Sequence, residues 1–163
     1  VATAAPSANG LFPEAMAGEP VVRLAAKHPR LFHILTAGQG IIARVAPTFL
    51  TKQVFASAAG GDALLAADPQ FRRLIAPLLR DSLTRGSAVY RADVSSYATT
   101  HIDAYLDQIT SLAAPVTFWH GSMDNWAPIE MAAALAQRLP RATVHIEPGA
   151  SHYSTLAAFL AQV

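Results

Sequence analysis

The pattern of the last fifty residues constrains the fold most. Pro115 leads into a short apolar, β-rich run at 116–119, and an amphipathic helical segment follows from about Ile129 to Leu139. The segment "ATVHIEP" then alternates as a half-covered strand would, and "HYSTLAAFLAQV" again predicts helix. This β-α-β-α order is the unit of a parallel sheet. Because two strands do not make a stable parallel sheet, we expect further polypeptide to complete it.

The preceding hundred residues predict helices and offer no convincing strand. The clearest helix begins at Asp68-Pro69, an N-cap residue followed by proline at the first helical position. Its apolar residues recur at spacings of three and four as far as Leu83, and Gly86 stands where a C-cap glycine would. Pro77 predicts a kink or a break near Ala76, because proline lacks the N–H that a helix interior needs.

Upstream of that helix, the sequence predicts two or three further helices. Their breaks are expected at Pro29, at a Gly38-Gln39-Gly40 turn and at Pro47.

Composition excludes several classes of protein. With 52% hydrophobic residues, the 163-residue chain has material for a sizeable core. Twelve Lys and Arg against eleven Asp and Glu leave no electrostatic footprint for nucleic acid. The absence of cysteine excludes disulfides, thiolate metal sites and a cysteine nucleophile, but leaves the cellular compartment open. The longest charge-free runs are shorter than the roughly 20 apolar residues that span a bilayer, so no membrane span is predicted.

Two residues with complementary chemistry follow the two predicted strands. Asp124 comes after the first strand and His152 after the second. Reactive groups in open parallel sheets gather beyond the carboxyl ends of the strands, so neighbouring strands would bring these two loops together. A carboxylate beside an imidazole fixes the tautomer of the ring and stabilises its protonated form, as a general base requires. Individually, Asp124 is also typical of an Asx turn or helix cap, and His152 of a neighbour of a helix N-cap.

The motifs around these two residues resemble the C-terminal part of the α/β-hydrolase superfamily. That family carries its acid in a "P-apolar strand-HG-x-x-D-x-x-x-P" run and its histidine in a "PG-x-x-H" run. The corresponding residues here are Pro115, His120, Gly121, Asp124 and Pro128, then Pro148, Gly149 and His152. The resemblance implies that Asp124 orients His152 and that His152 acts as general base and acid.

The same resemblance implies an α/β fold in three parts. Residues 1–9 resemble the end of a core strand that enters a lid. Residues 10–113 resemble the helical lid of esterase-like and lysophospholipase-like members, and 114–163 would be the C-terminal part of the hydrolase core, with the last two parallel strands and their helices.

The nucleophile of this family lies in a G-x-S-x-G elbow that precedes the acid and the histidine. No such elbow occurs in the chain, since Ser87 in "RGSAV", Ser122 in "HGSMD" and Ser151 in "GASHY" all lack one or both of its flanking glycines. The resemblance therefore places the serine, and the oxyanion hole beside it, on sequence before Val1, in the N-terminal half of the core. We expect a complete enzyme to cleave a hydrophobic carboxylic ester or related acyl compound without a cofactor, and this chain alone to be inert.

Alternatives remain open because the deciding residue is not in the chain. An aspartate nucleophile on the same fold would make a dehalogenase or an epoxide hydrolase, and other members are lyases or haloperoxidases. A non-catalytic binding fragment, in which the helices and strands dock on a partner chain, is the alternative from another class.

Several further residues have a functional and a structural interpretation. Trp126 and Tyr153 flank the acid and the base, so they are candidates for lining a substrate pocket or for packing at a loop base. The spacing of His101, Asp103 and Asp107 would allow a metal, but it is more typical of a polar surface, and no metal site is predicted. His120 precedes a glycine turn and is interpreted as structural.

Overall fold

The computed structural model describes residues 16–100, Tyr105, Gln108 and 115–162. Over these residues the chain is mainly helical, with a small parallel sheet of two strands. The elements, in chain order, are α1 Glu19–Lys27, α2 Pro29–Val45, α3 Pro47–Val54, α4 Gly60–Ala67, α5 Pro69–Thr84, α6 Ser87–Thr99, β1 Val116–Gly121, α7 Ile129–Arg138, β2 Ala142–Glu147 and α8 His152–Leu160.

The described residues belong to two compact units. The sheet unit contains β1, β2, α7 and α8 together with residues 16–19 and the short segment Ala59–Asp62. The helical unit consists of Pro20–Ala58 and Ala63–Thr99. The division into hydrolase lid and hydrolase core stays a prediction, and residues 1–9, expected to end a core strand, lie outside the described residues.

The sheet pairs β1 with β2 in parallel, from Val116 opposite Ala142 to Gly121 opposite Glu147. The predicted β-α-β-α order is confirmed. Because the register aligns the carboxyl ends of both strands, the two loops that follow them leave the sheet side by side.

The core of the sheet unit lies between the strands and α7. Phe118 of β1 packs with Ala132 and Leu135 of α7 and with Leu139, which follows that helix. Along β1, Phe118 is buried and Thr117 is exposed. On the same face as Thr117, Trp119 is partly buried and its ring contacts that of Phe159 in α8, with centroids 5.4 Å apart, so α8 covers part of this face.

Helix α2 corrects one sequence prediction in the helical unit. The breaks expected at Pro29 and Pro47 are confirmed, since each proline occupies the first turn of a new helix. The turn expected at Gly38-Gln39-Gly40 is wrong, because α2 runs through it without interruption. A Cβ at Gly40 would lie only 2.8 Å from the carbonyl oxygen of Leu83. The glycine thus permits close packing of α2 on α5.

Helix α5 confirms its predicted start and is not broken at Pro77. Asp68 caps it by accepting a hydrogen bond from the Gln70 N–H at 2.8 Å. The helix continues past Pro77 to Thr84, so it does not break near Ala76, and the alternative of a kink there stays a prediction. Proline removes a single backbone donor, and the part of α5 beyond it is held by Leu83, which is buried in the core of the helical unit.

None of the helices in the described ranges combines the length and the apolar character needed to cross a bilayer.

Candidate functional site

The site begins with the turn that follows β1. Asp124 lies in this turn, and its side chain is fully buried. Its Oδ1 accepts hydrogen bonds from the backbone N–H groups of Trp126 and Ala127, both at 2.9 Å. This is the turn-closing role that a loop aspartate commonly has, and it fixes the orientation of the carboxylate.

The other oxygen of Asp124 meets the histidine that follows β2. Oδ2 lies 3.0 Å from Nδ1 of His152. A carboxylate can only accept, so Nδ1 carries the proton and donates it. In the neutral ring Nε2 is then the basic nitrogen, and no described group forms a hydrogen bond with it. Since the His152 side chain is 30% exposed, the ring is accessible to a reacting group.

Backbone hydrogen bonds hold the two loops together. Ser122 N–H donates to Glu147 O at 3.1 Å, and Met123 N–H donates to Ala150 O at 2.9 Å. In the opposite direction, Gly149 N–H donates to the Ser122 hydroxyl at 2.9 Å. The Asp124–His152 pair is therefore anchored on both sides by the ends of the parallel strands.

His120 stabilises the loop that follows β1. It is completely buried, and its Nε2 donates to the carbonyl oxygen of Ala127 at 2.6 Å. The same nitrogen lies 4.0 Å from Oδ2 of Asp124. These contacts agree with the structural role expected for His120, because they hold the Asp124 turn closed.

The pKa of the His152 imidazole reflects opposing effects. Burial disfavours the charged ring and lowers its pKa, but the hydrogen bond that the ring donates to Asp124, the charge of Asp124 and the charge of Asp62 all raise it. The net result is a pKa above the ordinary value of about 6.5. The pair can thus hold a proton on Nε2 once the ring has accepted one.

Asp62 is the charged residue near the site that the sequence did not reveal. It is completely buried and belongs to the sheet unit. Its carboxylate accepts hydrogen bonds from the N–H groups of Tyr153 and Ser154, at the beginning of α8. In the sequence, "GGDALLAA" resembles an ordinary helix start with an acidic first turn, and no local signal connects it with residues some ninety positions later.

The two predicted aromatic residues occupy different places. The Tyr153 ring contacts the His152 ring edge-on, with centroids 5.4 Å apart, and burial together with the charge of Asp62 raises the pKa of the Tyr153 phenol. Trp126 contributes its backbone N–H to the Asp124 turn, and its side chain is partly buried. Their roles in substrate binding stay predictions.

The loop serines add no catalytic group to the described site. Neither Ser122 nor Ser151 forms a hydrogen bond with His152. His101, Asp103 and Asp107 lie outside the described residues. Within the described ranges, no cluster of three His, Asp or Glu side chains has the arrangement of a metal site.

Comparison with protein families, with curated proteins and with solved structures finds no match for this chain. The relationship to the α/β-hydrolases therefore stays a prediction that depends on the motifs and on the geometry of the residues.

Proposed function

We propose that this chain supplies the helical lid and the acid and base of a serine hydrolase of the α/β-hydrolase type, acting on a hydrophobic carboxylic ester or related acyl compound. The observation that carries the proposal is the 3.0 Å hydrogen bond between Nδ1 of His152 and Oδ2 of Asp124. Its location supports the proposal further, because both residues lie in loops beyond the carboxyl ends of paired parallel strands.

In the proposed reaction, Nε2 of His152 accepts the hydroxyl proton of a serine as its oxygen attacks the ester carbonyl. The tetrahedral intermediate collapses to an acyl-enzyme, and the imidazolium returns its proton to the departing alkoxide. Water then attacks the acyl-enzyme with the same assistance and releases the acid. Asp124 keeps Nδ1 protonated throughout and stabilises the imidazolium. The serine and the oxyanion donors are supplied by polypeptide outside these 163 residues.

The apolar surface of the helical unit supports a hydrophobic substrate class. Large apolar side chains of α2 and α3 are exposed, with Ile34 at 67%, Ile41 at 61%, Val45 at 77% and Phe49 at 52%. Extended exposed apolar surface is typical of a region that contacts an apolar ligand or another polypeptide.

The proposal is tested by identifying the serine and then removing the acid. Native mass spectrometry of the purified protein establishes whether a G-x-S-x-G polypeptide accompanies the chain, and a fluorophosphonate probe should label that serine. The chain by itself should remain unlabelled. In the labelled species, Asp124→Asn should lower kcat for p-nitrophenyl esters on the order of 10³- to 10⁴-fold.

The matched control is Asp68→Asn, which alters an exposed helix-capping carboxylate in the helical unit and should leave kcat unchanged. Retention of the full rate by Asp124→Asn would remove Asp124 from the proposed triad. A folded species with no G-x-S-x-G polypeptide, no label and no esterase activity would contradict the whole proposal and favour a non-catalytic binding role.

A further inference from the structure

We propose that Asp62 is a positioning residue for His152: its buried carboxylate holds the start of α8 and adds a second negative charge beside the imidazole. The functional part of this inference rests on the proposed hydrolase function. Its structural part concerns only described residues of the sheet unit.

The carboxylate of Asp62 fixes the backbone on the C-terminal side of His152. One oxygen, Oδ2, accepts from the Tyr153 N–H at 3.0 Å, and Oδ1 accepts from the Ser154 N–H at 2.7 Å. These N–H groups lie in the first turn of α8, where no intrahelical acceptor exists for them. An aspartate from a distant part of the chain thus satisfies donors that a local cap would normally satisfy.

A second path from Asp62 fixes the backbone on the N-terminal side of His152. The Ser154 hydroxyl donates to Oδ1 of Asp62 at 2.8 Å and accepts from the Ser151 N–H at 2.7 Å. His152 lies between Ser151 and Tyr153, so both its neighbours are bound to one network that ends at Asp62. The ring is oriented by Asp124, and its backbone is oriented by Asp62.

Two glycines make the close approach of Asp62 possible. Gly60 has a positive φ of 50°, and a Cβ there would lie 2.5 Å from the carbonyl oxygen of Gly149. A Cβ at Gly61 would lie 2.6 Å from the Ser154 hydroxyl. The Gly61 N–H also donates to Gly149 O at 2.8 Å. The segment Ala59–Asp62 is therefore shaped to contact the loop that carries His152.

The charge of Asp62 acts on His152 together with that of Asp124. Among the described residues, the titratable groups placed around the imidazole are the carboxylates of Asp124 and Asp62, the phenol of Tyr153 and, behind Asp124, the imidazole of His120. Asp62 contributes to the raised pKa of His152. Its removal should lower that pKa without removing the proton from Nδ1, because the hydrogen bond to Asp124 remains.

The test measures the His152 pKa by NMR titration of the imidazole in the full 163-residue chain. Asp62→Asn removes the charge and places an amide NH₂ against backbone donors, so we expect a lower His152 pKa. Hydrogen exchange at the Tyr153 and Ser154 amides should accelerate roughly 2- to 30-fold, as expected for the loss of a helix N-cap. Asp62→Glu keeps the charge and should keep the His152 pKa closer to its original value.

The control is Asp68→Asn, which removes an equivalent capping carboxylate from α5 in the helical unit and should leave the His152 pKa unchanged. An unchanged His152 pKa in folded Asp62→Asn would overturn the inference. If Asp62→Asn does not fold, hydrogen exchange of the wild-type chain tests the inference instead. Protection of the Tyr153 and Ser154 amides supports it, and exchange of these amides at open-chain rates overturns it. None of these measurements needs a substrate. A lack of hydrolase activity would therefore contradict the proposed function, but it would not decide the role of Asp62.

Discussion

Replacing Asp124 separates the two roles of its carboxylate. In Asp124→Ala, the N–H groups of Trp126 and Ala127 lose their acceptor, and Ala127 is completely buried. A buried donor without a partner costs about 1–3 kcal/mol. With the hydrogen bond to His152 also lost, the free energy of unfolding should fall by about 3–5 kcal/mol.

Asp124→Asn should be much milder. Its remaining oxygen can still accept from both backbone N–H groups, and only the bond to His152 changes from charged to neutral, which costs about 1 kcal/mol. The new NH₂ donates to Nδ1, so the proton of the neutral ring moves to Nε2. The same variant that nearly preserves stability therefore removes the basic nitrogen from the reacting side of the ring.

Urea denaturation followed by tryptophan fluorescence measures this difference. Trp119 and Trp126 are the chain's two tryptophans, and both lie in the sheet unit, so the signal reports on the unit that contains the site. Asp68→Asn, in the helical unit, is the control: asparagine keeps an N-capping side chain on α5, so the free energy of unfolding should stay nearly unchanged. If Asp124→Ala and Asp124→Asn lower the free energy of unfolding equally, within about 0.5 kcal/mol, the assignment of Oδ1 to the turn is refuted.

Two further predictions concern proton linkage and helix packing. Because the pKa of His152 is raised in the folded protein, its contribution to stability is complete below the ordinary pKa of about 6.5 and is lost as pH rises through the folded value. The free energy of unfolding of wild type minus that of His152→Gln should therefore fall between pH 5.5 and 9, and an increase would contradict the raised pKa. Gly38→Ala, where a Cβ meets nothing within 4 Å, should stabilise the chain by about 0.5–1 kcal/mol. Gly40→Ala in the same helix should destabilise the chain by about 1–3 kcal/mol because its Cβ meets the Leu83 carbonyl. Urea denaturation followed by circular dichroism measures the free energy of unfolding of both variants. Equal stabilisation by the two substitutions would exclude close packing at Gly40.

Local patterns were sufficient to predict the elements around the site. The apolar run before His120, the alternation before Pro148 and the helical spacing between them each depend on a few adjacent residues. The meeting of Asp124 with His152 followed from one topological rule, since parallel neighbours align their carboxyl ends. This rule needs no knowledge of the packing elsewhere in the chain.

The failures occur where distant packing overrides a local signal. Gly40 resembles a turn residue in sequence, but it lies within a helix, where the lack of a side chain leaves room for the Leu83 carbonyl of another helix. Pro77 resembles a helix breaker, but α5 continues through it with Leu83 in the core beyond. Asp62 resembles an acidic residue in the first turn of its own helix, but it bonds the first turn of a helix that begins ninety residues later. None of these partners can be identified from nearby residues.

The two carboxylates near His152 differ in what they control. Asp124 bonds Nδ1 directly, so it determines which ring nitrogen carries the proton. Asp62 bonds the Tyr153 and Ser154 N–H groups directly, is linked to the Ser151 N–H through the Ser154 hydroxyl, and acts on the imidazole only through its charge. In Asp124→Asn the tautomer and the pKa both change, whereas in Asp62→Asn the pKa changes and the tautomer is retained. A general base needs the correct nitrogen free and a pKa near the working pH; in this chain Asp124 affects both requirements, whereas Asp62 affects only the pKa.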